Sequence, residues 1–176
     1  LEGFYHDISD WISRDYLVHP DTGEDMYSNV SDVEMLGAEV GVEVTPAQNV
    51  SFSLDYTYND AENESSNALT NKVAGVAENQ LVLGASALIP WVEAQLDFRG
   101  IYVDEMYDRL PSPNRPDEEI DKTSDYFTLN ARLSKDIGEN FSAYIECENL
   151  FDKDYESEIG FPGPGRNAIV GLKASF

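Results

Sequence analysis

The sequence predicts an all-β protein, an antiparallel up-and-down transmembrane β-barrel of which about eight strands are visible. Apolar and polar residues alternate in repeated runs, and short turns alternate with long polar loops. No run reaches the roughly 18 to 20 apolar residues that a membrane helix needs. Barrel strands need only about 9 to 11 alternating residues, so the negative mean hydropathy is compatible with a barrel as well as with a soluble protein.

The first three predicted strands differ in regularity. The first, about residues 4–13, is the least regular because Asp and Ser interrupt its apolar residues. A loop over residues 16–29 follows, marked by a Pro and a Gly. Residues 35–44 and 50–59 then alternate regularly on both sides of a short turn at 45–49, and they form the strongest predicted hairpin of the sequence.

Five further strands follow the same pattern. Residues 81–89 and 92–102 are joined by a turn at Pro90, and residues 127–134 and 141–148 are joined by a turn at 135–140. The last strand covers residues 167–176, with Ile169 as the one apolar exception on its polar face. Its apolar face carries Ala168, Val170, Leu172, Ala174 and Phe176.

The lengths of the connections predict an orientation. Three connections are short turns, whereas those near residues 16–29, 60–78, 104–122 and 153–165 are long. Outer-membrane barrels combine short periplasmic turns with long extracellular loops. We therefore expect a bacterial outer-membrane protein whose long loops are extracellular and whose C-terminus is periplasmic.

The chemistry of the two strand faces predicts which one meets lipid. The Val, Leu, Ala and Phe face can contact hydrocarbon, while the polar face requires water or polar protein, and a closed barrel pairs all backbone groups. Aromatic residues near strand ends, such as Tyr56, Tyr102 and Trp91, fit interfacial girdles or are ordinary strand aromatics. The residues expected to face lipid are Val40, Val42, Leu54, Leu96, Leu129, Ile145, Val170 and Leu172.

Charge and cysteine content exclude some partners. The net charge is -23 with only 11 basic residues, which argues against nucleic acid because a polyanion requires clustered Lys and Arg. The acidity serves solubility, or it places acidic loops towards cations or a cationic ligand. Cys147 is the single cysteine and cannot form an internal disulfide.

Three C-terminal features together resemble a known family. They are the Glu-Asn-Leu-Phe-Asp-Lys-Asp-Tyr segment at 148–155, the Gly-Pro-Gly-Arg segment at 163–166 and a final strand that ends in Phe176. They look like the C-terminus of TonB-dependent outer-membrane receptors. The resemblance implies that residues 1–176 are the C-terminal β-barrel region, the last eight of 22 strands, without the plug domain that fills the lumen. It also implies that Phe176 is the signal read by the barrel-assembly machinery.

The same resemblance implies a function. The receptors of this family import a scarce small-molecule chelate, such as an iron siderophore or cobalamin, with energy from the TonB complex, which acts through the plug domain. No cofactor and no resident metal are expected, and the chemistry of the apolar strand face makes outer-membrane lipid a further expected partner. The loop residues best able to contact a ligand are Tyr107, Arg109, Arg115 and Phe161. The alternative for each is an ordinary solvated loop residue.

Catalysis is not expected. The sequence has no Gly-x-Ser-x-Gly, no phosphate-binding loop and no paired Cys. His6, Asp7 and Asp10 lie close together, but His6 and Asp7 would point to opposite faces of a strand. Two other functions remain open: a freestanding eight-stranded outer-membrane barrel with a structural or adhesion role, and a soluble β-sandwich binding module, which would need a dry core.

Overall fold

The computed structural model describes residues 1–18, 22, 25–66, 68–111 and 116–175. In this part of the chain all regular structure is β, and no helix has the length and apolar character of a membrane span. The strands are β1 (Glu2–Val18), β2 (Asp25–Ala47), β3 (Val50–Asn63), β4 (Asn79–Ile89), β5 (Ala94–Val103), β6 (Tyr107–Arg109), β7 (Asp121–Lys122), β8 (Tyr126–Ile137), β9 (Phe141–Glu148), β10 (Glu156–Glu158), β11 (Phe161–Pro162) and β12 (Asn167–Ala174).

Eight of the strands form one antiparallel sheet in the order β1-β2-β3-β4-β5-β8-β9-β12. Each strand pairs with its neighbours along the chain, once the two small sheets β6-β7 and β10-β11 in the loops are set aside. The predicted all-β, antiparallel up-and-down arrangement of about eight strands is therefore confirmed. Among the described residues β1 and β12 are edge strands with one partner each, so the eight strands do not close on themselves.

The register places apolar residues opposite one another across the sheet. Val42 pairs with Leu54, and the same row continues to Leu83, Gly100 and Leu129. Directly opposed residues share a face, so these side chains lie on one side, which we call the apolar face. All eight residues predicted to meet lipid lie on it: Val40, Val42, Leu54, Leu96, Leu129, Ile145, Val170 and Leu172.

The opposite side, which we call the polar face, is partly paired by hydrogen bonds and charge. The Ser86 hydroxyl donates to Asp97 Oδ1 at 2.7 Å. Arg132 lies 3.4 Å from the Glu146 carboxylate, and its guanidinium stacks 4.0 Å from the centre of the Tyr144 ring. These contacts give the polar groups on this face a partner. A polar group without a partner would be costly in a dry core.

The first hairpin is longer than predicted. The predicted loop over 16–29 is wrong at both ends, because β1 reaches Val18 and β2 begins at Asp25. Backbone hydrogen bonds between strands do not require apolar and polar side chains to alternate. The periodicity of the sequence therefore did not predict this extension of the hairpin. The irregularity expected in the first strand is present, since the register shifts between Ile8 and Trp11 and Asp10 has a φ of 60°.

Most fully buried side chains of the described residues lie at the loop end of the sheet. Val73, Ala77, Leu110 and Thr123 belong to the long connections and are at most 7% exposed. The sheet itself contributes few buried residues, because its apolar face is exposed: Ile145 is 51% and Leu172 is 81% accessible. Among the described residues, the buried side chains therefore belong mainly to the loops and the strand ends beside them.

Candidate functional site

The three long connections after β3, β5 and β9 pack together into one loop layer, which comprises the described parts of residues 64–78, 104–125 and 149–166. The amide of Gly75 donates to the carbonyl of Tyr107 at 2.8 Å, which joins the first connection to the second. The rings of Tyr126, the first residue of β8, and Tyr155 stack 4.4 Å apart. The amide of Ile159 donates to the Asp108 carboxylate at 3.2 Å and joins the second connection to the third. The loops therefore form one connected surface.

Tyr107 begins β6 in the second connection, and two cations lie near its ring. The ammonium of Lys122 lies 4.5 Å from its ring centre, and that of Lys72 lies 5.7 Å away. Lys122 also forms an ion pair with Glu105, and this hydrogen bond raises the pKa of the Lys122 ammonium above its ordinary 10.5. Tyr107 thus links two loops through cation–π contacts, and its ring is already in contact with the chain's own cations.

Arg109 is exposed next to a shielded acid. Its Nε lies 4.0 Å from the Asp108 carboxylate, whose side chain is 13% exposed, whereas the Arg109 side chain is 53% exposed. The Asp108 carboxylate also accepts a hydrogen bond of 3.2 Å from the amide of Ile159. Arg109 therefore presents the N–H donors of its guanidinium to solvent, and its contact with Asp108 holds it in position.

Phe161 lies on the segment that Asp108 contacts. It belongs to the β10-β11 hairpin, pairs with Glu158 and is 59% exposed. Because Asp108 bonds to Ile159, the structure brings the segment with Arg109 and the segment with Phe161 together. Tyr107 adjoins them through β6, whereas the predicted contact Arg115 lies outside the described residues.

Asn149 organises the third connection. It is 4% exposed, and its side-chain amide donates to the carbonyls of Lys153 at 2.9 Å and Pro164 at 3.0 Å. Its Oδ1 accepts the amide of Lys153 at 2.9 Å, and its own amide donates to Asn130 Oδ1 on β8. Sequence reasoning noted the motif that contains Asn149 without assigning a role to this side chain.

Two further contacts hold the same connection. Asp152 Oδ1 accepts the amide of Arg166 at 2.8 Å, and the Arg166 guanidinium lies 3.6 Å from the same carboxylate. The ring of Tyr155 covers Gly163 so closely that a Cβ there would overlap it. The two C-terminal motifs, residues 148–155 and 163–166, are therefore held together by direct contacts.

A network of hydrogen bonds joins the strand ends to the loop layer. The Tyr56 hydroxyl donates to Asn79 Oδ1 at 2.6 Å, and Asn79 Nδ2 donates to Asp104 at 2.8 Å. The Tyr102 hydroxyl also donates to Asp104, at 3.3 Å. These contacts connect β3, β4 and β5 where the loops begin.

The described residues contain no cluster of three or more His, Cys, Asp or Glu able to hold a metal ion. His6 and Asp7 pair with Met35 and Glu34, respectively, so they point to opposite faces of the sheet. The side chains of His6 and Asp7 therefore do not converge on a common metal site or catalytic dyad.

Comparison with known proteins gives one family. The family model described as "TonB dependent receptor-like, beta-barrel" matches residues 1–150. No curated protein matches the sequence significantly.

Solved structures resemble the fold over nearly the whole chain. The copper transporter OprC is 18% identical with a TM-score of 0.76, over 99% of this chain and 28% of that one. The ferric-catecholate import receptor Fiu from Escherichia coli K12 is 18% identical with a TM-score of 0.70, over 98% and 24%. The pyoverdine receptor FpvA from Pseudomonas aeruginosa is 20% identical with a TM-score of 0.71, over 99% and 26%. The chain thus spans about a quarter of the length of these proteins.

Proposed function

Since the chain belongs to the TonB-dependent receptor family, as part of its β-barrel, we propose that it is part of an outer-membrane receptor that imports a scarce ligand. The energy would come from the TonB complex, acting through a plug domain. The observation that carries the proposal is the match of the barrel family over residues 1–150, together with a loop layer that forms one connected surface. In this reading the chain is a transporter component and not an enzyme.

Residues 1–176, with their eight strands, would be the C-terminal part of a 22-stranded barrel. The two edge strands β1 and β12 support this, because an edge in lipid would leave backbone groups unpaired and further strands would satisfy them. The alternative of a freestanding eight-stranded barrel needs β1 to pair with β12, which the described residues do not do. A native polypeptide several times larger than 19.6 kDa would support the receptor, and one of 19.6 kDa would favour the alternative.

The proposed orientation rests on the difference between the two ends of the sheet. The apolar face would meet outer-membrane lipid, the loop layer would be extracellular, and the C-terminus would be periplasmic. The loop ends of β3, β4 and β5 carry Tyr56 and Tyr102, whose hydroxyls bond to the network at Asn79 and Asp104. Aromatic rings with a hydrated polar end suit the membrane interface.

We favour a metal chelate, such as an iron siderophore, as the ligand. The similar structures are a copper transporter, a ferric-catecholate import receptor and a pyoverdine receptor. In this chain Arg109 offers donors to anionic oxygens and Phe161 offers an exposed ring, on two segments joined by Asp108. Tyr107, two residues before Arg109, is held by its contacts with Lys72 and Lys122.

The test is uptake by cells that express the whole receptor containing this sequence. Ferric catecholates, ferric hydroxamates, copper and cobalamin would be supplied in labelled form, with and without a functional TonB. We expect accumulation of one of these probes that disappears when TonB is deleted. Uptake that is equal without TonB, or no uptake of any probe by a correctly folded receptor, would contradict the proposal.

A further inference from the structure

The strand β6, which carries Arg109, is anchored in the loop layer on both sides. The amide of Met106, the residue before β6, donates to Thr123 Oγ1 at 3.0 Å, and the amide of Thr123 donates to the Met106 carbonyl at 2.9 Å. Leu110, the residue after β6, is only 7% exposed. The backbone that carries Arg109 is therefore held in place by its neighbours in the loop layer.

The β10-β11 hairpin, which carries Phe161, is attached at its base and at its tip. At the base, the amide of Gly163 donates to the carbonyl of Tyr155 at 2.8 Å. At the tip, the amide of Ile159 donates to Asp108 Oδ1 at 3.2 Å. The two strands hold only three and two residues, and so short a hairpin is not stable by itself. Its direction therefore depends on these two attachments.

The carboxylate of Asp108 acts on both segments at once. Oδ1 accepts the amide at the hairpin tip, whereas Oδ2 lies 4.0 Å from Nε of Arg109. The Asp108 side chain is largely shielded from solvent, and a hydrogen bond to an ionised acceptor is stronger than one between neutral groups. Asp108 thus relates the position of the hairpin to the position of the guanidinium.

We propose that Asp108 is a positioning residue for ligand capture: its bond to the hairpin tip fixes the Phe161 ring relative to the Arg109 guanidinium before a ligand arrives. The inference rests on the proposed function, because it takes Arg109 and Phe161 as the ligand contacts. Asp108 acts through these residues and not by touching the ligand, since its charge makes it a poor contact for an anionic chelate. Contacts that are ordered in advance lose less entropy on binding.

The bond can be removed from either partner. Asp108→Ala removes the acceptor, whereas Asp108→Asn keeps an oxygen acceptor and loses only the charge. Ile159→Pro removes the donor. The turn from Glu158 to Phe161 has Gly160, with a φ of 86°, at its third position, which is typical of a type II turn, and Pro is common at the second position of such turns. Ile159→Ala is the matched control, because it trims the side chain and keeps the amide.

The first measurement is equilibrium binding of a ferric tris-catecholate to the purified whole receptor. This probe offers anionic oxygens to a guanidinium and aromatic rings to Phe161. Asp108→Ala and Ile159→Pro should each weaken binding about tenfold, whereas Asp108→Asn and Ile159→Ala should stay within about twofold of wild type. In a receptor that carries Phe161→Ala, Asp108→Ala should have no further effect, because a positioning residue acts through the residue that it positions.

The second measurement needs no ligand. Spin labels at Ser124→Cys and Pro162→Cys, with the native cysteines replaced by Ser, report the distance between the second connection and the hairpin. We expect one narrow distance distribution in wild type and in Asp108→Asn, and a broad one in Asp108→Ala and Ile159→Pro. Heat-modifiable migration on gels shows which variants are folded, and Ile159→Pro decides if Asp108→Ala does not fold.

Four results would each overturn the inference. They are an unchanged distance distribution in the folded variants that lack the bond, equal weakening by Asp108→Asn and Asp108→Ala, an undiminished effect of Asp108→Ala in the Phe161→Ala receptor, and no binding of the probe by wild type. TonB-dependent uptake of another chelate by wild type would leave the proposed function intact in each case, so the two failures are distinguishable.

Discussion

The side-chain amide of Asn149 donates a hydrogen bond of 3.0 Å to the carbonyl oxygen of Pro164, fifteen residues further along the chain. Asn149 is the second residue of the first C-terminal motif, and Pro164 lies in the second motif. A second bond of 2.8 Å, between Asp152 and the amide of Arg166, runs between the same two motifs. The two motifs that resemble those of TonB-dependent receptors therefore bind each other in the folded chain.

Replacing Asn149 with Ala should lower the free energy of unfolding by roughly 1 to 3 kcal/mol, because the turn loses the three hydrogen bonds made by this buried side chain. Asn149 also has a φ of 48°, which Ala tolerates poorly. Asn149→Gly permits that backbone conformation and still removes the side chain, so it separates the two effects. Denaturant unfolding in lipid vesicles measures both, and stability equal to wild type in both variants would show that the turn does not depend on this side chain.

Arginine on the apolar face tests which side meets lipid. Val42→Arg or Leu172→Arg should cost roughly 2 to 4 kcal/mol if these positions lie near the bilayer midplane. Glu43→Arg is the control, because Glu43 follows Val42 and lies on the polar face. Unfolding in lipid vesicles should show a much smaller loss for the control. An unchanged stability of both apolar-face variants would reverse the face assignment.

The alternation of apolar and polar residues was sufficient to predict the sheet, but not how far its strands extend. The hairpin of β2 and β3 was predictable because one face carries Val42 and Leu54 while the other carries Asp55 and Ser53, and a slip of one residue would exchange the faces. The extension of β1 and β2 was not predictable, because backbone pairing there has no periodic signature. Phe4 shows a local exception: it shares the polar face with Gly37, where its ring fills the place of a missing side chain.

The candidate site was only partly predictable. Sequence chemistry selected Arg109 and Phe161 as residues able to contact a ligand, and the structure joins their segments through Asp108 and Ile159. That bond spans 51 residues between two loops, and no local pattern encodes it. The small β6-β7 and β10-β11 sheets were missed for the same reason, since each holds only two or three residues a strand.

The contact between Lys122 and Glu105 should weaken only at high pH. The pKa of Lys122 is raised in the folded state, so its stabilising effect is fully present below the ordinary value of 10.5 and is lost as pH rises through the raised value. The difference in melting temperature between wild type and Lys122→Met should therefore be constant from pH 7 to pH 10.5 and shrink above it. Lys135→Met, at the turn end, controls for general effects of losing a cation. A difference that disappears already between pH 7 and 9 would contradict the assignment.

Phe176 lies outside the described residues, and its proposed role as the assembly signal stays a prediction. Deletion of Phe176 should lower the amount of folded receptor in the outer membrane, because the terminal aromatic would no longer be recognised by the assembly machinery. Surface labelling of intact cells measures this amount. Phe176→Tyr keeps an aromatic terminus and should assemble at nearly the wild-type level. A deletion variant with normal surface levels would limit Phe176 to a girdle position with a small effect on stability.

Arg109→Ala should weaken binding of an anionic metal chelate about tenfold, which corresponds to about 1.4 kcal/mol, because an exposed guanidinium contributes a charge-assisted hydrogen bond. Phe161→Ala should weaken binding through the loss of ring contact. Lys153→Ala is the matched control, since Lys153 is an exposed cation of the same loop layer. Equilibrium binding of the chelate identified by uptake, measured on the purified whole receptor, compares the three variants. If Lys153→Ala weakens binding as much as Arg109→Ala, and added salt removes both effects, the loop cations attract the chelate only through screened long-range charge and Arg109 is not a specific contact.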